Sequence, residues 1–449
     1  ALRLQRLVAQ TIFFTMGRSM LGGRVLYRDV FDHKGPVLYL LYGLAGLVGG
    51  TDFRGVLVLE IIAVTTFLYT SLRTAELLAG RRLSVWWMAL PAAAMAASRA
   101  FSHGGSAEEL LLPFLAAALF SLVRALHSPG AKPLRAVCVQ GLLAGCALWL
   151  KYTVLGFYLA WVVVLAALYL RRGWLAQLGR SVGAYLGGLA LATLPWVVYF
   201  GVHGALGDWF TAYFYDNLFL YKGEGGGLPA LAQHLWWAVR DGLPAALLLA
   251  AFLLWALLTR RFAAAGGVAA LAAGLAATSL MGGYLVYYGL VLAVFAPLGL
   301  VPLVRLAEKT PGARPYRAAL GCAGRVRCRL LCPDAQPGTA GPRPRRPAPI
   351  PLCSADQRRQ SAELRHAGRR LLHGGGRAAA RANISCVTNM PLDDQWTDQQ
   401  AVLKAGAVDY VVALTGDLHG DFPQYAVIDR CSYNGGEGEV TWYLYQLQR

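Results

Sequence analysis

One string concentrates chemistry-bearing side chains, Tyr27-Arg28-Asp29-Val30-Phe31-Asp32-His33-Lys34-Gly35-Pro36. Two carboxylates, an imidazole and two cations lie within a few positions of one another, directly before an apolar segment. A carboxylate there, Asp29 or Asp32, could take the proton of an acceptor hydroxyl as general base. Arg28 or Lys34 could neutralise a phosphate leaving group, arginine as a fork and lysine as a point charge. Asp32 and His33, joined by Glu108, are candidate ligands for a divalent metal cation. The plainer alternative is a headgroup-binding loop whose charges anchor the segment at an interface.

A second cluster, Ser102-His103-Gly104-Gly105-Ser106-Ala107-Glu108-Glu109, precedes another apolar run. Ser106 with Glu109 three residues later is a capping-box pattern, which accounts for Glu109 better than for Glu108. Glu108 and Glu109 are candidate catalytic acids. Lys151, between two apolar runs, reads as an interfacial lysine, with a lipid-phosphate role as the alternative. Tyr284, Tyr287 and Tyr288 follow Gly282-Gly283, where an aromatic belt is the default; His33, Tyr287 and Tyr288 are candidate pocket residues. The loop from Asp208-Trp209-Phe210 to Tyr221-Lys222 is aromatic enough to lie on a bilayer or to line a sugar pocket. Asp417, His419 and Asp421 have a chelating spacing, but a solvated turn explains them more simply.

The elements that must position these residues are membrane helices. The chain has 449 residues, of which 56% are hydrophobic and 15% charged, with mean hydropathy +0.45. Soluble domains carry about a quarter charged residues, so a cytosolic enzyme, a disulfide scaffold and a disordered chain are excluded. Apolar segments fall at 54–78, 84–99, 109–126, 134–150, 152–170, 178–201, 229–259, 264–281 and 285–304. Basic residues recur at every second connection: Arg81 and Arg82, Lys132 and Arg135, Arg171 and Arg172, Arg260 and Arg261, Arg305 and Lys309. By the positive-inside rule these face the cytoplasm, which puts 102–109, 204–227 and 282–283 outside. Residues 36–50 are about 15 in number, roughly 22 Å as a helix, too short to span ~30 Å of hydrocarbon. They are expected to lie at the external surface, and counting them as a span would invert every later loop.

The net charge of +18 is not a nucleic-acid signal. Most of it sits in 314–382, which holds fifteen Arg, no Lys and three acids. The patterned mixture of a nucleic-acid surface is missing there. This stretch, rich in Ala, Gly, Pro and Arg, reads as GC-rich DNA translated out of frame, or as a disordered linker. Cys322, Cys328, Cys332 and Cys353 match no zinc ribbon, and Cys138 and Cys146, inside an apolar helix, read most simply as small buried hydrophobes. Beyond it, strands are expected at 387–390, 410–414, 425–430 and 440–447, with a helix at 398–405. Neither a signal peptide nor a first anchor helix is legible in residues 1–20, so a fragment or a misplaced start is expected. The expected divisions are an external loop segment (1–53), a membrane domain of about nine spans (54–310), an irregular stretch (311–382) and a small α/β soluble unit (383–449).

The string YRDVFDHKGP before an apolar helix, and GGSAEELLLP two spans later, resemble bacterial membrane glycosyltransferases of the C-type (GT-C) fold. These are relatives of the protein O-mannosyltransferases and the lipid A aminoarabinose transferase. The resemblance covers roughly 11–310 and 383–449. It implies an all-α polytopic membrane bundle with a small C-terminal α/β unit, at the plasma membrane. It implies a polyprenyl-phosphate sugar donor, a hexosyl or pentosyl transfer with inversion, and a glycan, lipid or protein acceptor on the external face. Carried onto this chain, the functional acids are Asp29, Asp32, Glu108 and Glu109, with Arg28 and Lys34 near the donor phosphate. The family places another acid just before the segment matching 11–17; here Leu7-Val8-Ala9-Gln10 stands there, so impaired activity is expected if that acid is the base. A transporter of lipid-linked sugars, with ionisable residues at mid-span, and an inactive scaffold are the rival expectations.

Overall fold

The computed structural model describes residues 2–49, 53–102, 105–220, 227–280, 283–309, 361–363, 400–413, 418–435 and 438–448. Outside them lie His103, Gly104, Tyr221, Lys222, Gly282, Asp417, the expected strand at 387–390 and nearly all of the Arg-rich stretch.

Helix α1 (Leu2–Leu21) packs on the short α2 (Pro36–Gly49), and both lean on α3 (Arg54–Ala79). A 3₁₀ turn (Val85–Met88), α4 (Ala89–Ala97) and a second turn (Arg99–Ser102) lead to α5 (Ala107–His127). Then follow α6 (Leu134–Leu150), α7 (Leu155–Arg171) and α8 (Leu175–Val202). Helix α9 (Leu206–Phe210) runs into ten residues of π-helical winding (Thr211–Leu220). Helices α10 (Leu228–Asp241), α11 (Leu243–Leu258) and α12 (Phe262–Ser279) precede a long 3₁₀ stretch (Val286–Gly299) that continues as α13 (Leu300–Lys309).

Six of these are long and apolar enough to cross a bilayer, or seven if the bent α10–α11 pair counts as one. The nine expected apolar segments meet that test to different degrees. Residues 85–97 and 134–150 form shorter apolar helices, and 229–259 is not straight. It bends by 100° where Gly242 ends one helix and Pro244 enters the first turn of the next. Proline is tolerated there because the first helical N–H groups lack partners anyway. Arg240 and Asp241, which a straight span would hold at mid-membrane, sit instead at this break. The expected short helix at 36–50 is observed as fourteen residues.

Helix α5 and residues 286–307 are the most enclosed of the candidate spans, whereas α3 and α8 turn Ile61, Ile62, Leu191 and Leu194 outward. Apolar side chains facing outward are the expected surface of a bundle solvated by lipid. The chain is thus a multi-pass membrane bundle. Its two ends differ chemically. At one, Arg172 donates to the Ser128 carbonyl, and Lys132 donates from its main chain to Tyr169 and from Nζ to the Ser121 carbonyl. Burial and the neighbouring Arg124 lower the Lys132 ammonium to about 8. About 30 Å away along α5, the other end gathers the acidic connections.

The C-terminal unit is a four-stranded sheet in the order β1-β2-β4-β3, from β1 (Ser361–Glu363), β2 (Tyr410–Ala413), β3 (Tyr425–Gly435) and β4 (Gly438–Leu447). Strand β1 runs parallel to β2, the other pairs are antiparallel, and β3 carries an irregularity between Val427 and Asp429. Val402, Leu403, Val411, Phe422, Tyr425 and Tyr445 form its core. Of the expected strands, 410–413 of the first is present, as are 425–430 and 440–447, and residues 400–404 are helical. Strand β1, three residues from the stretch expected to be irregular, pairs with the edge of β2.

Candidate active site

The first connection is a knot of turns fixed by its own polar groups. Tyr27 adopts a left-handed backbone (φ 68°), uncommon for an aromatic residue. Its N–H donates to the Val30 carbonyl at 2.7 Å, and its hydroxyl to the Lys34 carbonyl at 2.6 Å. Burial pushes that hydroxyl well above the usual phenol range, so it stays a donor. Tyr39, one turn into α2, bridges the string: it accepts from the Lys34 N–H at 2.8 Å and donates to Asp32 Oδ2 at 2.9 Å. Asp32 Oδ1 lies 3.4 Å from His33 Nδ1, and His33 Nε2 lies 2.8 Å from Lys34 Nζ. Asn217, from the π-helical winding, donates to the His33 carbonyl at 2.9 Å.

Gly35 explains how this knot reaches the rest. A Cβ there would fall inside the carbonyl group of Trp149, and the Gly35 N–H points at the Leu150 carbonyl, 3.4 Å away. Only glycine admits that approach, and it delivers Lys34 to the end of α6. The next residue is Lys151. It is 6% exposed and ion-paired with Glu108, itself 1% exposed, at the start of α5. The ammonium also sits 3.6 Å over the Tyr288 ring and 5.8 Å from that of Tyr287. Burial and the Lys151 charge lower the Lys34 ammonium to about 8, against opposing pulls from Asp32 and Glu108. Asp32, His33, Lys34, Glu108, Lys151 and Tyr288 thus form one electrostatically connected cluster.

Other sequence candidates stand apart. Asp29 accepts from the Val25 N–H at 2.7 Å and from Arg28 Nε at 3.0 Å, so it closes a turn. That arginine holds the Asp29 carboxyl below the usual carboxylate range. Arg28 donates its Nη1 to the His203 carbonyl at 2.7 Å. Both serve the rim of the loop. Glu109 fulfils the capping pattern with one change: Ser106 accepts from the Glu109 N–H, but the Glu109 carboxylate accepts from Gly105 rather than from Ser106. Gly105 has φ +69°, and Gln10 fills the place of a side chain there. Gln10 also donates to Glu60 at 3.1 Å, and Tyr42 donates to the Gly105 carbonyl. Glu109 therefore faces α1, α2 and α3.

The metal expectation fits poorly. Among the described residues no three of His, Cys, Asp or Glu converge as a ligand set. Lysine ammonium groups occupy the positions next to His33 Nε2 and Glu108, where a cation would have to bind.

Sequence reasoning undervalued Lys151 and missed Tyr39 and Asn217; it singled out the aromatic loop after Asp208, though not as the brace beneath the site. In that brace Tyr213 donates to the Leu148 carbonyl and accepts from the Tyr152 N–H, while Trp209 packs on Trp149 and Phe200. The available signal was a lysine between two apolar runs with no acidic residue nearby in sequence to share its cost. A tight crevice beside Lys151 is lined by Glu108, Thr153, Val154, Ser279, Tyr288 and Val291.

No family model and no curated protein sequence matches the chain. Solved structures do. ArnT from Cupriavidus metallidurans bound to undecaprenyl phosphate matches with a TM-score of 0.63 at 13% identity, over 97% of this chain and 93% of that one. The apo state of the same protein gives 0.62 over the same shares. The chain therefore has the GT-C membrane fold of the ArnT structures, the fold that its two acidic strings implied.

Proposed function

We propose that the chain is an integral membrane glycosyltransferase that moves a sugar from a polyprenyl-phosphate donor onto an acceptor hydroxyl at the external membrane face. One observation carries this reading: residues from the first loop and from the ends of α5 and α6 converge as buried carboxylates and ammonium groups. The fold likeness adds weight, since that ArnT structure is bound to undecaprenyl phosphate.

In this reading Asp32, oriented by the Tyr39 hydroxyl, takes the proton of the acceptor. The acceptor oxygen attacks the anomeric carbon, the bond to phosphate breaks, and its electron pair leaves with the phosphate. Lys34 and Lys151 stabilise that developing charge in a site where water does not compete. Glu108 holds Lys151 in place until the phosphate arrives, and Tyr288 supports the ammonium from below. No step requires a metal.

Transfer of radiolabelled sugar from a polyprenyl phosphate by the purified chain tests it. Asp32→Asn should lower the rate by about 10²–10⁴ while thermal unfolding stays close to that of the parent. Parent-like transfer by both Asp32→Asn and Lys34→Met refutes the assignment. A transporter would need ionisable groups at mid-span, and the α10–α11 break removes the one pair, Arg240 and Asp241, that a straight span would supply.

A further inference from the structure

The break between α10 and α11 holds a second charged cluster, which the transfer chemistry does not use. Asp241 is buried, its side chain wholly enclosed. Its Oδ1 takes Nε of Arg240 at 3.0 Å and lies 3.6 Å from Nη1 of Arg99. Its Oδ2 takes Nη2 of Arg240 at 3.3 Å and the Tyr284 hydroxyl at 3.0 Å. The two guanidinium groups are 68% and 46% exposed for Arg99 and Arg240 respectively. A buried carboxylate that clamps two exposed guanidinium groups leaves one positive charge in surplus. It also orders the Arg240 guanidinium through two hydrogen bonds, which lowers the ordering cost of binding.

The cluster's location is informative. It is joined to the Lys151 end of the bundle, because Tyr284 packs edge-on to Tyr288, 6.4 Å between centroids. The positive-inside rule accounts for basic residues at the opposite end, so it does not account for this pair. Backbone packing holds the two arginines together: Gly289 brings the 3₁₀ stretch against the Ala238 carbonyl and the Ala100 side chain. Paired guanidinium forks with remaining N–H groups match the oxygens of a phosphate better than a single carboxylate does.

We propose that Arg99 and Arg240, held by Asp241, form a binding site for a phosphate group, separate from the cluster around Asp32 and Lys34. The phosphate is either that of a lipid headgroup or a free ion. The site does not depend on the sugar-transfer reading, and binding is read without any turnover.

The full chain in detergent, titrated with phosphatidic acid and separately with diacylglycerol, is followed by native mass spectrometry. Phosphatidic acid should be retained over diacylglycerol. Arg99→Gln and Arg240→Gln should each weaken retention about tenfold, the size of one charge-assisted contact. Arg82→Gln, at the opposite end, should leave retention unchanged. Displacement by inorganic phosphate identifies the phosphate alone as the ligand. Failure to displace, with retention still lost in the variants, identifies a phosphate carried on lipid. If Arg240→Gln leaves Asp241 unpaired and does not fold, Arg240→Lys keeps the charge, removes the fork and should also weaken binding. Equal retention of the two lipids, or Arg99→Gln binding as the parent does, overturns the proposal.

Discussion

Lys151→Met is the most searching perturbation. The lysine is buried against Glu108 and over Tyr288, so its removal strands a carboxylate that is 1% exposed. Breaking a buried pair from one side costs about 3–5 kcal/mol, because the partner loses compensation without regaining water. Removing the ammonium from the ring adds up to ~2 kcal/mol. Glu108→Gln should cost less, about 2–3 kcal/mol, since the Tyr288 face still receives the ammonium and the amide still accepts a hydrogen bond. The double variant Glu108→Gln with Lys151→Met contains no stranded charge and should come out near 3 kcal/mol. The cycle then gives a coupling of roughly 2–7 kcal/mol. Thermal unfolding in detergent, followed by loss of monodisperse protein, reads it. The single lysine variant should unfold roughly 5 °C lower for a chain of this size, and the double variant should recover part of that. If the two single effects simply add, within ~0.5 kcal/mol, to that of the double, the pair is not coupled and the reasoning is wrong.

Gly35→Ala forces a Cβ into the Trp149 carbonyl and pushes Lys34 away from Lys151; transfer should fall about 10²-fold, as for a 1 Å misplacement, and parent-like transfer counts against the close approach. Lys34 is lowered to about 8, so its cationic form is lost as pH rises through that value. Transfer should decline above about pH 8 and hold further up in Lys34→Arg, read as pH–rate profiles. For stability the sign is opposite: between about 8 and the ordinary ~10.4 the unfolded chain binds the extra proton, so Lys34 adds stability as pH rises across that window. Asp29→Asn should cost about 1 kcal/mol through the lost turn contacts and leave transfer near the parent rate; a loss as deep as that of Asp32→Asn would return Asp29 to the catalytic set.

Much of the bundle is legible in the sequence because hydropathy and the period of the basic loops are local signals. The ends of α3, α5, α7 and α8 fall within a few residues of the apolar runs. The break at Gly242 was hidden because both halves are apolar and proline inside membrane helices is common. At the site, the string around Asp32 advertised itself by charge density. Arg28 and Asp29 shared that density yet satisfy each other, since adjacency in sequence does not say which way a turn points its side chains. Lys151 was quiet in the sequence because its partner lies 43 positions away. Tyr39 and Asn217 were quieter still, one resembling belt aromatics and the other an ordinary loop amide.

Around the site, several fastenings end on main-chain carbonyls. Tyr27 grips Lys34, Asn217 grips His33, Tyr213 grips Leu148, and Gly35 leans on Leu150. A carbonyl is present whatever letter occupies its position. Neighbouring side chains can therefore be exchanged during divergence without loosening these ties, provided that a few tyrosines, one amide and one glycine persist. Architecture of this kind outlives similarity of letters, and kinship among such chains is better sought in shape than in alignment.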